Sequence, residues 1–283
     1  MAGGSRKYLV GVALAMFALA GCSEFGRKDV GPGGQPLDAF TAKQIFERGE
    51  FELEAKDNED AAFYFGEIER LYPYSEWAKR GLIMQAYAYH QDKDYENARS
   101  AAQRFIDFYP ADDDAAYAAY LLALSYYDQI ELVGRDQGLT FQALQSLRAV
   151  IERYPDSEYA RSSILKFDLA FDHLAGKEME IGRYYLKRDH FGAAINRFRV
   201  VVEDFQTTTH TAEALYRLIE GYLSLGLTEE AQTAGAILGH NYQSTDWYED
   251  GFNLLTGQGL EPKVFDGNWL GAVYRQVLKG EWL

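Results

Sequence analysis

The amino-acid sequence predicts an all-α protein, a right-handed solenoid of about five helix pairs. A pattern of alanine, apolar and aromatic residues recurs five times along the chain. No segment shows the sustained alternation of apolar and polar residues, bounded by turn residues, that is typical of strands. About 250 residues follow the N-terminal segment, which is enough chain to bury a substantial core.

Each predicted unit ends on an aromatic residue that is followed by proline or glutamine. The aligned positions are Pro73, Pro110, Pro155, Gln206 and Gln243, after Tyr72, Tyr109, Tyr154, Phe205 and Tyr242. Twelve residues before each aligned position is an alanine: Ala61, Ala98, Ala143, Ala194 and Ala231. Five residues before it is an apolar residue: Ile68, Phe105, Val150, Val201 and Leu238. Small residues let helix backbones approach and large residues fill the gaps, so the pattern indicates packed helix pairs.

A further aligned position, twelve residues before the alanine, marks the first helix of each unit. It is occupied by Gly49, Ala86, Gly182 and Ile219, and by Ala123 if eight residues are inserted in the third unit. Two residues after each aligned position is a side chain typical of a helix N-cap: Ser75, Asp112, Ser157, Thr208 and Thr245. The pattern resembles the tetratricopeptide repeat, with units spaced by 37, 45, 51 and 37 residues. The long spacing predicts an extended first helix in the fourth unit, within Asp156 to Arg188.

The N-terminus has the layout of a secretory signal peptide, with a basic flank followed by an apolar run from Tyr8 to Ala20. The run is shorter than the roughly 20 residues that span a bilayer as a helix. Leu19 to Cys22 resembles the lipobox of bacterial lipoproteins, which implies cleavage before Cys22 and a covalent lipid on that residue. The alternatives are an ordinary secreted protein with a chance cysteine near its cleavage site, or a free cysteine that packs as a small apolar residue.

These features predict five segments. Residues 1–21 form the signal peptide and 22–37 the lipidated cysteine with a flexible tether rich in glycine and proline. Residues 38–155 contain repeats one to three, 156–243 repeats four and five, and 244–283 a C-terminal extension. Trp247, Trp269, Tyr274 and Trp282 in that extension either cap the solenoid or contact a partner.

Composition and motifs argue against an enzyme and against a nucleic-acid partner. The formal charge is −15, and it becomes −17 once the two cations of the signal peptide are removed. Such an acidic protein is a poor partner for the phosphates of nucleic acid. The five histidines form no metal-binding motif, and we expect no cofactor other than the lipid on Cys22. The acidic run Asp112 to Asp114 could bind a cation, but it lies where a helix begins and fits capping better.

A repeat solenoid without catalytic motifs is expected to bind a partner along its first helices. In the first three units this register predicts a groove for an extended peptide with aromatic side chains and a carboxylate. The alternative is that half of these residues only pack against the neighbouring helix. The predicted groove residues are Phe46, Glu50, Leu53, Arg80, Ile83, Tyr87, His90, Tyr117, Tyr120 and Tyr127.

Three segments resemble the BamD family, the lipoprotein subunit of the outer-membrane β-barrel assembly machinery: Tyr72 to Ala78, Arg135 to Ala160 and Lys177 to Phe198. The resemblance implies a non-enzymatic protein on the periplasmic face of the outer membrane, held by its lipid; Ser23, rather than aspartate, also favours the outer membrane. It implies that the C-terminal repeats bind the BamA barrel subunit beside other assembly subunits. It also implies that the N-terminal repeats bind the C-terminal signal of unfolded barrel proteins.

For the BamA-facing surface we predict a basic cluster in this acidic chain: Arg183, Lys187, Arg188 and Arg197. The alternative is that these are solvated charges or intramolecular partners of Glu178 and Glu180. Two other functions remain open. One is a periplasmic repeat scaffold that coordinates cell-wall synthesis or the Tol system. The other is a wall hydrolase or its activator, for which the sequence has no motif.

Overall fold

A computed structural model describes residues 31, 34–130, 137–265 and 269–273. After a short 3₁₀ turn at Leu37–Ala39, the described chain consists of twelve α-helices. The helices are α1 (Ala42–Glu54), α2 (Asn58–Leu71), α3 (Glu76–Gln91), α4 (Tyr95–Phe108), α5 (Ala115–Tyr127), α6 (Gly138–Arg153), α7 (Glu158–Leu186), α8 (Phe191–Asp204), α9 (Thr211–Ser224), α10 (Thr228–Asn241), α11 (Asp246–Thr256) and α12 (Trp269–Val273).

Consecutive helices pack against each other, so that α1 to α10 form five helix pairs in a tetratricopeptide-like solenoid. The first helices of neighbouring units also touch, α1 against α3, α3 against α5 and α5 against α7. The prediction of an all-α solenoid of five helix pairs is confirmed, and the described residues contain no β-strand. None of the described helices is long and apolar enough to cross a membrane.

The core of every unit is built on the repeated alanines and apolar residues. All ten have no exposed surface: Ala61, Ala98, Ala143, Ala194, Ala231, Ile68, Phe105, Val150, Val201 and Leu238. The apolar residue also accepts, through its backbone carbonyl, the hydrogen bond from the aromatic residue that ends the helix, as in Tyr72 N to Ile68 O (2.8 Å). The repeated sequence pattern therefore marks two features of each second helix: its buried face and the residue at which it ends.

The close contact within a pair is made by a small residue facing a large one. A Cβ atom on Gly49 would lie 2.7 Å from the Phe65 ring, and one on Gly182 would lie 2.4 Å from the Phe198 ring. Both distances are shorter than carbon atoms tolerate, so only glycine lets these helices approach so closely. Phe65 and Phe198 occupy the same position of their units, four residues after the alanine.

The turns between paired helices share one backbone geometry. Lys56, Lys93, Asp189 and Gly226 each have a positive φ, between 59° and 73°. Around Lys56 the backbone bonds Lys56 N to Leu53 O and Asp57 N to Glu52 O (3.0 and 2.9 Å) form the double closure typical of a left-handed helix end. Three of the four turns use a residue other than glycine, so the sequence carried no obvious sign of them.

Three of the five predicted N-caps are confirmed. The hydroxyls of Ser75, Ser157 and Thr245 accept hydrogen bonds from the backbone three residues ahead. Asp112 and Thr208 are corrections, because α5 and α9 begin later, after Asp114 and His210. Asp112 instead accepts hydrogen bonds from its own loop at Asp114 N (3.0 Å) and from Lys79 Nζ (2.6 Å).

The extended helix expected within Asp156 to Arg188 is α7, of 29 residues. The signal peptide, Cys22 and most of the predicted tether lie outside the described residues, which include 31 and 34–37 of the tether. Leu37, which we placed at the end of the tether, is instead only 3% exposed and packs in the core of the first unit. The folded part of the chain therefore includes Leu37.

Replacing Gly182 by alanine should destabilise the protein by about 1–3 kcal/mol, because its Cβ atom would overlap the Phe198 ring. Gly192 in the neighbouring α8 is the matched control, since a Cβ atom there meets nothing within 4 Å. Gly192→Ala should leave stability unchanged or raise it by about 0.5 kcal/mol. Urea denaturation of both variants checks this, and equal stabilities would contradict the packing argument.

Candidate binding surface

Tyrosines from three successive first helices meet on one surface of the solenoid. The ring centroids of Tyr117 and Tyr120 on α5 lie 5.2 and 5.4 Å from that of Tyr159 on α7. Tyr87 on α3 packs against the core next to Tyr117. These four residues, Tyr87, Tyr117, Tyr120 and Tyr159, are called the tyrosine cluster below. Tyr117 and Tyr120 are one turn apart and so lie on the same face of α5. Because α5 and α7 touch, both rings can contact Tyr159 on α7.

A single cation completes the surface on the side of α7. Lys166 Nζ lies 5.7 Å from the ring centroid of Tyr120 and 5.8 Å from that of Tyr127. Lys166 lies two helical turns after Tyr159, which places both on the same face of α7. An ammonium group over two aromatic rings is held in place yet still has donors for a ligand oxygen.

Burial changes the titration of the cluster. The pKa of Tyr117 is raised to about 12, chiefly because burial disfavours the phenolate and secondly because of its neighbour Tyr87. Burial also raises the pKa of Tyr159. The hydroxyls of these two tyrosines therefore stay protonated and remain hydrogen-bond donors through the physiological pH range.

A second group lies further towards the N-terminus, on α1 and α3. The Arg80 guanidinium lies 4.9 Å from the centroid of Phe46 and 4.8 Å from that of Trp77. Arg80 is exposed, whereas Phe46 is 2% exposed and packs between Phe65 and Trp77. The guanidinium is thus positioned on an aromatic platform with its donors free to meet a ligand.

The structure separates the predicted groove residues into two kinds. Tyr87, Tyr117, Tyr120 and Tyr127 come together as expected, and Arg80 lies at the far end of the same row of helices. Two others are corrections: Phe46 and Ile83 are buried in the core, 2% and 7% exposed, because their side chains turn towards the second helices.

The remaining groove residues contact other parts of the chain or face solvent. His90 has its Nε2 atom 3.1 Å from the Asp128 carboxylate and packs beside Tyr95. Glu50 is exposed and Leu53 is partly buried in the core of the first unit. The alternative that part of the predicted set only packs against neighbouring helices holds for Phe46, Ile83 and Leu53.

Tyr159 and Lys166 were missed by the sequence analysis, which limited the groove to the first three units. The sequence did contain a signal for Tyr159. Like Trp77 in the preceding part of the chain, Tyr159 is an aromatic residue four positions after an aligned proline. Lys166 carried no such signal. Its place follows only from the packing of α7 against α5.

The predicted basic cluster at the end of α7 is divided between paired and exposed cations. Arg183 Nη1 lies 2.8 Å from the Glu213 carboxylate, and Arg197 Nη1 lies 3.0 Å from that of Glu178. The intramolecular alternative is thus observed for the Arg197–Glu178 pair. Arg188 is exposed and stacks on Tyr184, with its guanidinium carbon 3.6 Å from the ring centroid.

Lys187 follows the last residue of α7 and is also exposed. Lys187 and Arg188 are therefore two cations that face solvent at the turn between α7 and α8. Tyr184, which is 52% exposed, extends this surface with an aromatic ring.

The described part of the C-terminal extension caps the last repeat. The Trp247 ring packs against that of Tyr216 (5.4 Å between centroids), and Trp269 donates from Nε1 to the Tyr222 hydroxyl (2.9 Å). Leu270 has no exposed surface. Trp247 and Trp269 therefore pack on the solenoid, while Tyr274 and Trp282 lie outside the described residues.

No grouping of potential metal ligands exists among the residues that the structure describes. The acidic run at Asp112 is tied to a cation of the chain itself, since the hydrogen bond from Lys79 is the largest cause that lowers the pKa of Asp112. Fold and surface together define the class of this protein: a helical-repeat protein of the tetratricopeptide type whose first helices share an aromatic surface.

Comparisons with known proteins identify the family. A family model described as outer membrane lipoprotein (YfiO) matches residues 38–237. The chain is 44% identical to the outer membrane protein assembly factor BamD of Caulobacter vibrioides, over 90% of this chain and 82% of that protein. It is also 44% identical to the BamD of Rickettsia prowazekii, over 75% of this chain and 84% of that protein. The chain belongs to the BamD (YfiO) family of outer membrane lipoproteins.

Alkaline conditions should weaken the fold through Tyr117. Its pKa is raised from 10.0 to about 12, so the folded state holds this proton more tightly than the unfolded state does. The stability from the neutral phenol is complete below pH 10 and is lost as the pH rises towards 12. Tyr117→Phe should therefore lose less stability than the wild type between pH 9 and pH 11.

The measurement is the urea midpoint at both pH values, with Tyr74→Phe as the control. Tyr74 is fully exposed on the loop between α2 and α3, so its replacement should leave the loss unchanged. If Tyr117→Phe lost as much stability as the wild type, burial of the phenol would not be the cause.

Proposed function

We propose that this protein acts in the assembly of outer-membrane proteins, as a non-catalytic scaffold. The observation that carries the proposal is its membership of the BamD family, whose relatives at 44% identity are named outer membrane protein assembly factors. The aromatic surface of the first helices supports a binding role. The lipobox-like sequence ending at Cys22 supports a lipid anchor on that residue, which would hold the repeats at the periplasmic face of the outer membrane.

For the substrate, the proposal is an extended peptide that carries aromatic side chains and a carboxylate, as at the C-terminus of an unfolded barrel protein. The tyrosine cluster offers flat rings with few rotatable bonds, which bind aromatic side chains at low entropic cost. Lys166 and Arg80 supply cations at the two ends of the row, in an otherwise acidic protein. Each cation is stacked on aromatic rings and is therefore already positioned for a carboxylate.

The partner on the other half of the solenoid is proposed to be the barrel-forming BamA subunit, beside other assembly subunits. Lys187 and Arg188 lie at the turn between α7 and α8, Arg183 and Arg197 lie on the two helices that it joins, and Tyr184 adds an exposed ring. Arginine and tyrosine are the residue types that most often dominate the energy of protein interfaces. Arg188 and Lys187 are the better candidates for direct contact, because Arg183 and Arg197 already pair within the chain.

Peptide binding should weaken about tenfold, which corresponds to 1.4 kcal/mol, when Tyr120 is replaced by alanine. Lys166→Glu should weaken binding similarly for a peptide with a free C-terminal carboxylate, and less for the same peptide with an amidated C-terminus. Fluorescence anisotropy of a labelled peptide ending in phenylalanine measures this. Tyr74→Ala, on the exposed loop between α2 and α3, is the control. Unchanged binding in both test variants would rule out this surface.

The partner proposal is tested by purifying the tagged full-length lipoprotein in mild detergent and identifying the proteins that copurify. A BamA-like barrel protein in stoichiometric amount is the expected result. Recovery of cell-wall or Tol proteins in its place would support the scaffold alternative. Arg188→Glu should reduce the recovered barrel protein severalfold by reversing an exposed charge.

The Arg197–Glu178 pair requires a matched design, because a substitution at Arg197 also leaves Glu178 without its partner. Arg197→Gln and Glu178→Gln break the same ion pair from opposite sides. Equal effects on copurification would show that only the pair matters. A loss confined to Arg197→Gln would show that the arginine itself contacts the partner.

A further inference from the structure

Among the described helices, α8 covers only the second half of α7. Each first helix from α3 to α9 packs against the second helix of the preceding unit and against that of its own unit. The Phe171 ring lies 4.8 Å from that of Phe205, which directly follows α8. The 14 residues of α8 therefore reach back only to the middle of the 29-residue α7. Residues 158–170 of α7 lie beyond the end of α8.

The repeat register shows which residues α8 leaves uncovered. In the second unit Leu82 and Ile83, nine and ten residues after the aligned proline, are buried in one cluster with Phe105 of α4. The same positions of α7 are Ile164 and Leu165. Both are apolar, yet they are 45% and 67% exposed. The sequence thus places apolar residues where a second helix packs in the second unit, and α8 leaves them open.

These two residues belong to a continuous exposed stripe of α7. Positions 161, 164, 165, 168 and 169 follow the spacing of three and four residues that lies along one face of a helix. This set is called the α7 stripe below, and it consists of Arg161, Ile164, Leu165, Asp168 and Leu169. Leu169 is 62% exposed. Adjacent exposed apolar residues mark an interaction surface, whereas single ones need no explanation.

The stripe carries one cation and one anion, about two helical turns apart. Arg161 and Asp168 are both exposed, and within the described part of the chain neither has an ion-pair partner. Both lie equally far in sequence from the midpoint between Ile164 and Leu165. When two copies of α7 lie antiparallel about a twofold axis at that midpoint, Arg161 of each copy faces Asp168 of the other. The stripe is therefore complementary to itself, as a twofold interface requires.

We propose that the α7 stripe is a docking surface for a second copy of this protein, in an antiparallel pair of α7 helices. The charges select this direction, because a parallel pair would set each charge beside its own kind. Two helices that meet over about two turns bury less than the roughly 1,200 Å² of a stable interface, so the dimer is weak in solution. The lipid anchor proposed for Cys22 would raise the local concentration of the copies by confining them to one membrane surface.

The α7 stripe is distinct from the tyrosine cluster. Tyr159 and Lys166 of α7 are directed to the tyrosines of α5. Asp172, one turn beyond the stripe, accepts hydrogen bonds from Thr209 N and Oγ1 (3.0 and 2.8 Å) and so binds the loop between α8 and α9. The dimer contact and the proposed peptide surface therefore do not compete for the same side chains.

Disulfide crosslinking of the full-length lipoprotein in isolated envelopes tests the proposal. Leu165→Cys places a thiol beside the twofold axis, and mild oxidation with copper phenanthroline should give a dimer on a non-reducing gel. Phe108→Cys, 62% exposed on α4, is the matched control and should give severalfold less dimer. The protein without an introduced cysteine reports any disulfide formed through Cys22.

Charge reversal tests the antiparallel register. Arg161→Asp and Asp168→Arg, each combined with Leu165→Cys, set like charges opposite each other and should lower the dimer yield about fivefold. When the two variants carry different tags and are produced together, opposite charges face each other again at both ends of the pair. The disulfide between the two tagged chains should then form with the yield of the unreversed protein. Helical content measured by circular dichroism should be the same in all variants.

Several outcomes would overturn the proposal. One is an equal dimer yield for Leu165→Cys and Phe108→Cys, and another is a crosslink from position 165 only to a different protein. The same holds if neither charge reversal weakens the dimer, or if producing the two reversed variants together does not restore it.

Discussion

The solenoid depends on one packing constraint, the matching of small and large side chains where its helices approach most closely. In the first and fourth units a glycine on the first helix receives a phenylalanine from the second, Phe65 and Phe198. In the fifth unit the large residue is Ile219 on the first helix, and a Cβ atom on Gly251 of α11 would lie 3.0 Å from its Cδ1 atom. At these contacts small residues face large ones, as expected for interiors packed at crystal density. The stacking of the first helices, and hence the tyrosine cluster, requires this close approach.

The helix α7 changes what the repeated units can do. A regular unit would place its second helix directly beside that of the preceding unit. With 29 residues, α7 packs α6 along its first half and α8 along its second half. Tyr159 and Lys166 on the first half complete the surface of the N-terminal units, while Arg183 and Lys187 at its end belong to the C-terminal units. One helix therefore connects the two proposed binding surfaces rigidly.

Much of the fold could be predicted from the sequence because its signals are local and repeated. The buried alanines, the aromatic helix ends and the long α7 all follow from spacing alone. The candidate surface was less accessible to prediction. A register assigns a residue to a helix face, but rotation of that helix by a fraction of a turn decides whether Phe46 and Ile83 point to a groove or to the core. Lys166 is brought to Tyr120 by contacts between units, which no local pattern encodes.

The two ends of the described solenoid are closed unequally. At the C-terminal end Leu255 and Leu270 cover the last pair and have no exposed surface. At the N-terminal end, the cover that the described residues provide for α1 comes from Leu37 and Phe40, and Phe51 borders an open cleft of about 300 Å³. In a stack stabilised by contacts between neighbours, the pair with one neighbour and the least cover is the first to open. A pulling force applied through the chain before residue 34 acts on this weakest pair, so mechanical load would peel the stack from α1 rather than break it in the middle.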